Sequence, residues 1–331
     1  SYEHFLHGIR HDRSMSARMA SDARENILLW LGMYFQRCAG VGRTLFHGRA
    51  RLMEDSNSRT PILDLSPQRG FGRVRAALND LKAGIRLLPL ALALGWLDIK
   101  LRYRGSILGP FWLTLSTAIM VAAMGVVYGY LFHMDLPHYL PFLSLSIVLW
   151  GYISGVINDA ATVFTQSTSL FHARRIPATL PVIRLVVRNV LTFLHNVVVI
   201  AVVFGIYHVW PKQSWSLLVS LPIWFLDSFA IILLIGMLGA RFRDIAPIMS
   251  SILQIFFFVT PVIWKPDLIY AGRQYLLLDP FYPILEIMRG PLMGYDVRSS
   301  LWIAAIVQGV LLWGLAAALF CRMRARIPYW I

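Results

Sequence analysis

The sequence predicts an all-α integral membrane protein. The expected parts are six transmembrane helices, an N-terminal amphipathic interface helix before the first, and outer re-entrant helices between spans five and six. Three observations carry that expectation. Of the 331 residues, 57% are hydrophobic and only 15% charged, with a mean hydropathy of +0.60, too little charged surface for a soluble domain. From Ile107 onward the chain supplies repeated apolar runs near the about 20 residues that a helix needs to cross the hydrocarbon core. The arginines gather on alternate connections, the pattern of segments retained on the cytoplasmic side.

Residues 1–76 are polar, Arg-rich and broken by Gly, Ser and Pro. They read as a partly flexible cytoplasmic extension, with a helix over 22–38 and a linker over 54–72; the transmembrane domain occupies 77–331. No signal peptide is legible, because arginines recur through 1–50 and the apolar run 27–35 is too short. The first span is therefore expected to be its own insertion signal. Cys38 and Cys321 lie outside the spans and form neither a metal-ligand spacing nor a disulfide framework.

Within 79–104, the apolar section 87–97 is too short to span and contains Pro89. Lys82 and Arg86 precede it, Lys100, Arg102 and Arg104 follow it, and Trp96 and Tyr103 suit the headgroup level. These features describe a helix lying flat in the cytoplasmic interface; an amphipathic helix packed on a soluble neighbour is the alternative. Spans are expected over 107–132, 139–164, 182–209, 215–240, 246–264 and 300–321, which leaves both termini on one side.

Arg104, Arg174, Arg175, Arg241, Arg243, Arg322, Arg324 and Arg326 share that side, whereas the opposite short connections, 134–138 and 210–214, hold only Lys212. The positive-inside rule makes that side cytoplasmic. The net charge of +14 is thereby assigned to topology, and nucleic-acid binding is not expected. On the outer side, 265–298 is too apolar for a solvated loop, yet Asp279, Pro280 and Pro283 interrupt it. Two short helices dipping into the outer leaflet satisfy both facts; a small folded loop is the alternative.

No nucleotide-binding signature occurs: the nearest cluster, 42–48, has the wrong glycine spacing and no lysine. Zinc-helix, paired-cysteine and nucleophile-elbow patterns are also missing. Work against a gradient must then draw on a partner or an ion gradient. Among polar groups inside the spans, His195 and Asp227 are nearly equidistant from the turn at 210–214, which places them at similar depth. They are expected to face each other or a shared polar interior, with Asn196 close by, either as a contact between helices or as a proton relay. Asn158, Asp159, Arg184, Arg188 and Asn189 lie near cytoplasmic ends, where snorkelling makes them cheap.

The run 98–112, Asp-Ile-Lys-Leu-Arg-Tyr-Arg-Gly-Ser-Ile-Leu-Gly-Pro-Phe-Trp, resembles the approach to the first span in polysaccharide-exporting permeases. These are the membrane subunits of type-2 ABC transporters for O-antigen, teichoic acid, capsule and related glycans. Also similar are 170–181 with its Arg-Arg-Ile-Pro and second proline, the turn Arg243-Asp244-Ile245, and 279–294 with Arg289 and Gly294. Asp279 departs from the pattern, standing where asparagine is common, and 1–76 lies outside the resemblance.

The resemblance implies a homodimer with two separate P-loop ATPase subunits, which bind ATP and Mg so that this chain needs no cofactor. It also implies a channel between the two copies, in the bacterial cytoplasmic membrane. Residues 170–180 would form the coupling helix, with Leu170, Phe171, His172, Arg174, Arg175, Ile176 and Pro177 docking into the ATPase. Lys100, Arg102 and Arg104 become candidates for the pyrophosphate of a lipid-linked glycan, since planar guanidinium forks suit phosphate oxygens; the alternative is that they only obey the positive-inside rule. Tyr128, Tyr130, Trp150, Tyr152, Phe257 and Trp264 are candidates for lining the channel, because rings stack on sugar faces with few fixed charges, although aromatics at span ends also serve as interface anchors. Rival readings are a type-2 permease for drugs or lipids, a membrane acyltransferase using His195 and Asp227, and an ion-coupled carrier.

Overall fold

A computed structural model describes residues 70–331 except 132, 134, 174, 175, 210–213 and 269–272. The expected helix over 22–38, Cys38 and nearly all of the linker lie outside the described residues. Helices run α1 Phe71–Arg86, α2 Leu88–Arg102, α3 Phe111–Leu131, α4 Leu136–Ala160, α5 Thr168–Ala173, α6 Thr179–Ile206, α7 Ser214–Arg241, α8 Ile245–Val259, α9 Tyr282–Met293, α10 Ser299–Met323 and α11 Ile327–Trp330. Among the described residues no strand occurs. Five helices, α3, α4, α6, α7 and α10, are long and apolar enough to cross a membrane.

The expected fifth span is the exception. It is realised as α8, whose 15 residues reach about 22 Å against a hydrocarbon core of about 30 Å. Pro261 stops it: a residue preceding proline is pushed out of the helical region, and Thr260 is extended at φ −67°, ψ 138°. The chain beyond is tied down where the Tyr139 hydroxyl donates to the Ile263 carbonyl at 2.7 Å.

α4 is the central helix, packed by α3, α6, α7, α8 and α9. Leu143, Leu145, Leu149 and Val156 are fully or almost fully buried there. α3 is peripheral. It turns Thr114, Val121, Gly125 and Gly129 inward at the helical spacing of seven, four and four residues, and exposes Ile119, Val126, Val127 and Tyr130.

The expected interface helix over 79–104 is two helices, broken at Leu87 (φ −91°, ψ 14°) ahead of Pro89. Pro89 lacks an amide hydrogen and is best accommodated in a helix's first turn, where α2 starts afresh. α2 buries Ala91, Gly95 and Ile99, one stripe four residues apart, against α6. Gly95 permits this approach: a methyl group there would lie 2.8 Å from a Val187 side-chain carbon. The other faces of α2 expose Leu88, Leu90, Leu92, Trp96, Leu97 and Leu101. After α2, Gly105 (φ +84°) and Gly109 (φ +54°) turn the chain, and Pro110 then leads into α3. The first span therefore starts at Phe111, not Ile107.

Candidate functional site

The arginine-rich end of the bundle is a lattice of buried and partly buried carboxylates. Asp80 on α1 is 8% exposed. Its carboxylate accepts the backbone amides of Ala178 at 3.2 Å and Thr179 at 3.1 Å, and the Thr179 hydroxyl at 3.0 Å. It thus satisfies orphan amide donors at the start of α6 from another helix, and it also accepts Arg324 beyond α10 at 3.1 Å. On α2, Asp98 takes a forked pair of bonds from Arg184 of α6, one of them 2.7 Å from Nε. On α4, Asp159 pairs with Arg188 at 2.7 Å and accepts Asn189 at 3.2 Å. A polar cavity of about 170 Å³ opens among Asp98, Gln166, Ser167, Arg184 and Arg188. Arg184 and Arg188 are therefore tied to carboxylates on neighbouring helices, where snorkelling alone was expected.

Lys100, Arg102 and Arg104 differ from these arginines. All three are exposed and make no ion pair among the described residues, so three adjacent cations are uncommitted beside an apolar-faced helix. In the expected coupling segment, α5 carries Leu170 and Phe171, both partly buried. The Phe171 ring lies 6.3 Å from that of Phe164, and Ile176 packs beside Leu180 and Ile183. Pro177 is likewise partly buried and accepts the Leu180 amide. Arg174, Arg175 and the side chain of His172 lie outside the described residues.

The aromatic candidates separate into two groups. Tyr130 is 73% exposed, and Tyr128, Phe257 and Trp264 are partly buried. Trp150 and Tyr152 are interior groups of the protomer, at 6% and 5% exposure, because they sit on the most enclosed helix. Trp150 meets the Phe281 ring edge-on at 5.4 Å, and Tyr152 stacks on Trp224 at 5.2 Å. Tyr152 also borders a cavity between α4, α7, α8 and α10.

His195 and Asp227 are not brought together. The His195 ring folds back, its Nδ1 2.7 Å from the Leu191 carbonyl of its own helix, and its backbone carbonyl accepts the Thr114 hydroxyl. Asn196 turns to Thr117 of α3 at 3.2 Å. Asp227 faces Gly309 of α10, where an added methyl group would lie 3.1 Å from its carboxylate. Their helices present the two residues to different neighbours. Among the described residues no group of three metal-ligating side chains occurs.

A second charged centre lies at the opposite end. Arg289 of α9 is fully buried. Its guanidinium donates to Glu286, to the Ser146 hydroxyl at 3.0 Å and to the Pro261 carbonyl at 2.7 Å, with its centre 4.4 Å from the Phe142 ring. The Tyr295 hydroxyl donates to the other Glu286 oxygen at 2.8 Å. Burial opposes the charge on Arg289, but Glu286 and Tyr295 outweigh it and hold its pKa above the ordinary value. This cluster joins α4, the break after α8, and α9. In the sequence Arg289 stands out only through a family resemblance and Glu286 not at all; the signal was an acid and a base three residues apart on a short apolar helix.

Asp279, just before α9, is also buried. One oxygen accepts the Phe281 amide at 2.9 Å, and the Thr260 hydroxyl and the Tyr282 amide add weaker stabilisation of the carboxylate. Burial pushes its carboxyl above the usual carboxylate range. The folded state thus holds the proton to higher pH than the unfolded one, so stability falls as pH rises through the raised value. Asp279→Asn is expected to stabilise the protein by about 1 kcal/mol near neutral pH. The gain should shrink as pH falls and the wild-type carboxyl itself takes up a proton. Thermal unfolding in detergent across pH checks both the sign and the trend.

The model of the ABC-2 type transporter family matches residues 89–293, well over half of the chain. The chain is 25% identical over 239 residues to the O-antigen export system permease protein RfbA of Myxococcus xanthus, covering 70% of this chain and 91% of that one. It is 21% identical over 219 residues to the protein of the same name from Klebsiella pneumoniae, covering 63% of this chain and 84% of that one.

Proposed function

The chain belongs to the ABC-2 type transporter family, and we propose on that basis that it is the permease subunit of an exporter that moves a lipid-linked polysaccharide across the bacterial cytoplasmic membrane. The relatives named as O-antigen export permeases support the cargo class. The observation that carries the reading is the uncommitted trio Lys100, Arg102 and Arg104 at the end of α2. A helix with one face on α6 and its other faces apolar and exposed suits the membrane interface, and cations at its end suit a diphosphate headgroup.

In this reading the arginine-rich end is cytoplasmic and α8 serves as a shortened sixth crossing. The segment 265–298 forms an outer re-entrant element, held by Arg289 and Glu286. Two copies enclose the passage. Two P-loop ATPase subunits bind ATP and Mg and drive the cycle, docking on α5 and the residues that follow it, including Arg174 and Arg175. The carboxylate lattice gives the stroke a route. Movement at 165–178 reaches Thr179, and through Asp80 it reaches α1 directly; through Arg184 and Asp98 it reaches α2.

The test is surface polysaccharide in cells whose own copy is replaced by Arg102→Gln/Arg104→Gln. Charge-assisted bonds to phosphate are worth about 1.5–3 kcal/mol each, so export should fall on the order of tenfold or more. Insertion and co-purification of the ATPase should be unchanged. Normal surface polysaccharide with the double variant would refute the role of these arginines. Normal levels in cells lacking the chain altogether would refute the export reading itself.

A further inference from the structure

A cavity of about 390 Å³ lies between α4, α7, α8 and α10, with Pro280 and Phe281 at the approach to α9. That size is within the range of small-molecule sites. Its walls are mostly apolar, with Asp227 the one carboxylate at depth and Gln308 a neutral amide beside it in the lining. Asp227 lines the cavity and is 5% exposed, about 20 Å from either end of its helix. The space it occupies exists because residue 309 has no side chain.

Of the other polar groups of the wall, all but the Gln308 amide of α10 are committed. The Tyr152 and Ser228 hydroxyls bond each other at 2.9 Å, Ser228 donates to the Trp224 carbonyl, and the Trp224 indole donates to Ile284 at 2.7 Å. Asp227 has no hydrogen-bond partner among the described residues. A buried carboxylate without a partner is costly, and a ligand that supplies a positive charge offsets that cost directly.

We propose that this cavity is a binding site for a hydrophobic ammonium compound, its charged group on Asp227 and its apolar body against Ile153, Val156, Leu253 and Leu312. An acyl chain would leave the carboxylate unpaired, and an anion would be repelled. Such an occupant touches four helices at once. The site makes no use of Lys100, Arg102 or Arg104 and does not depend on the cargo.

The probes are adamantylamine and adamantanol, near-equal in shape, measured by equilibrium dialysis against the purified full chain in detergent, with empty micelles as reference. The amine is expected to bind the wild type at least about tenfold more tightly than the alcohol. Asp227→Asn should remove that preference and leave alcohol binding in place. Ile252→Trp, which fills the cavity from α8, should lose both probes. Equal affinities in the wild type, a preference surviving in Asp227→Asn, or undiminished binding in Ile252→Trp would each overturn the proposal. Should Asp227→Asn not fold, the wild-type comparison and Ile252→Trp decide.

Discussion

Arg289→Met is expected to lower the unfolding temperature in detergent steeply, at a cost of about 3–5 kcal/mol. The guanidinium is completely enclosed and satisfies three acceptors on three segments. Its removal strands the Glu286 carboxylate with only the Tyr295 hydroxyl and leaves the Pro261 carbonyl without that donor. The cost arises from what remains, not from the worth of the pair. Glu286→Gln/Arg289→Met should therefore recover part of the loss, giving a coupling energy above about 1 kcal/mol. Lysine should rescue poorly, since a point charge cannot match a planar fork that meets several acceptors. An unchanged unfolding temperature in Arg289→Met, or a double variant no better than the single, would show that the cluster does not hold the outer segment.

The second large effect is expected at Asp80. Its carboxylate caps α6 from a different helix and accepts Arg324. Asp80→Ala loses a cap, worth about 1–2 kcal/mol, and also a largely buried ion-pair partner, so about 2–4 kcal/mol in all is expected. Asp80→Asn should retain part of the capping and lose the attraction to Arg324, falling between the wild type and Asp80→Ala. Hydrogen exchange gives the local readout: the amides of Ala178 and Thr179 should exchange much faster in Asp80→Ala, while those at the centre of α4 change little. Equal acceleration throughout would mean that Asp80 acts on global stability alone.

The helices were legible in the sequence because an apolar run near span length has few alternatives. Boundaries fell within four residues for all five long helices, and the offset at Ile107 traces to two glycines with positive φ. Two prolines carry more weight than hydropathy gives them. Pro261 ends α8 early inside a run that hydropathy alone counts through, and Pro89 divides the interface segment in two. Side-chain partners were the least legible part. Distance from a turn carries no information on rotation about the helix axis, and His195 and Asp227 meet different neighbours. The enclosure of Trp150 and Tyr152 was not legible either, because the burial of α4 depends on its neighbours, not on its own composition. Asp80 and Ser146 find partners 99 and 143 residues away, a separation over which sequence pattern carries no contact information. The exposed trio Lys100, Arg102 and Arg104 was legible because nothing in the fold claims it.

The shortness of α8 bears on the lipid around the protein. In the proposed six-crossing reading, α8 falls some 8 Å under the usual hydrophobic thickness and would oblige the bilayer beside it to dimple or to recruit shorter-tailed lipids, at fractions of a kcal/mol per ångström. Such a dimple would sit next to the break at Pro261 and draw headgroups and water inward on that flank. Membrane thickness would thereby become a variable of transport: bilayers of short-chain lipid would relax the deformation, and thick ones oppose it.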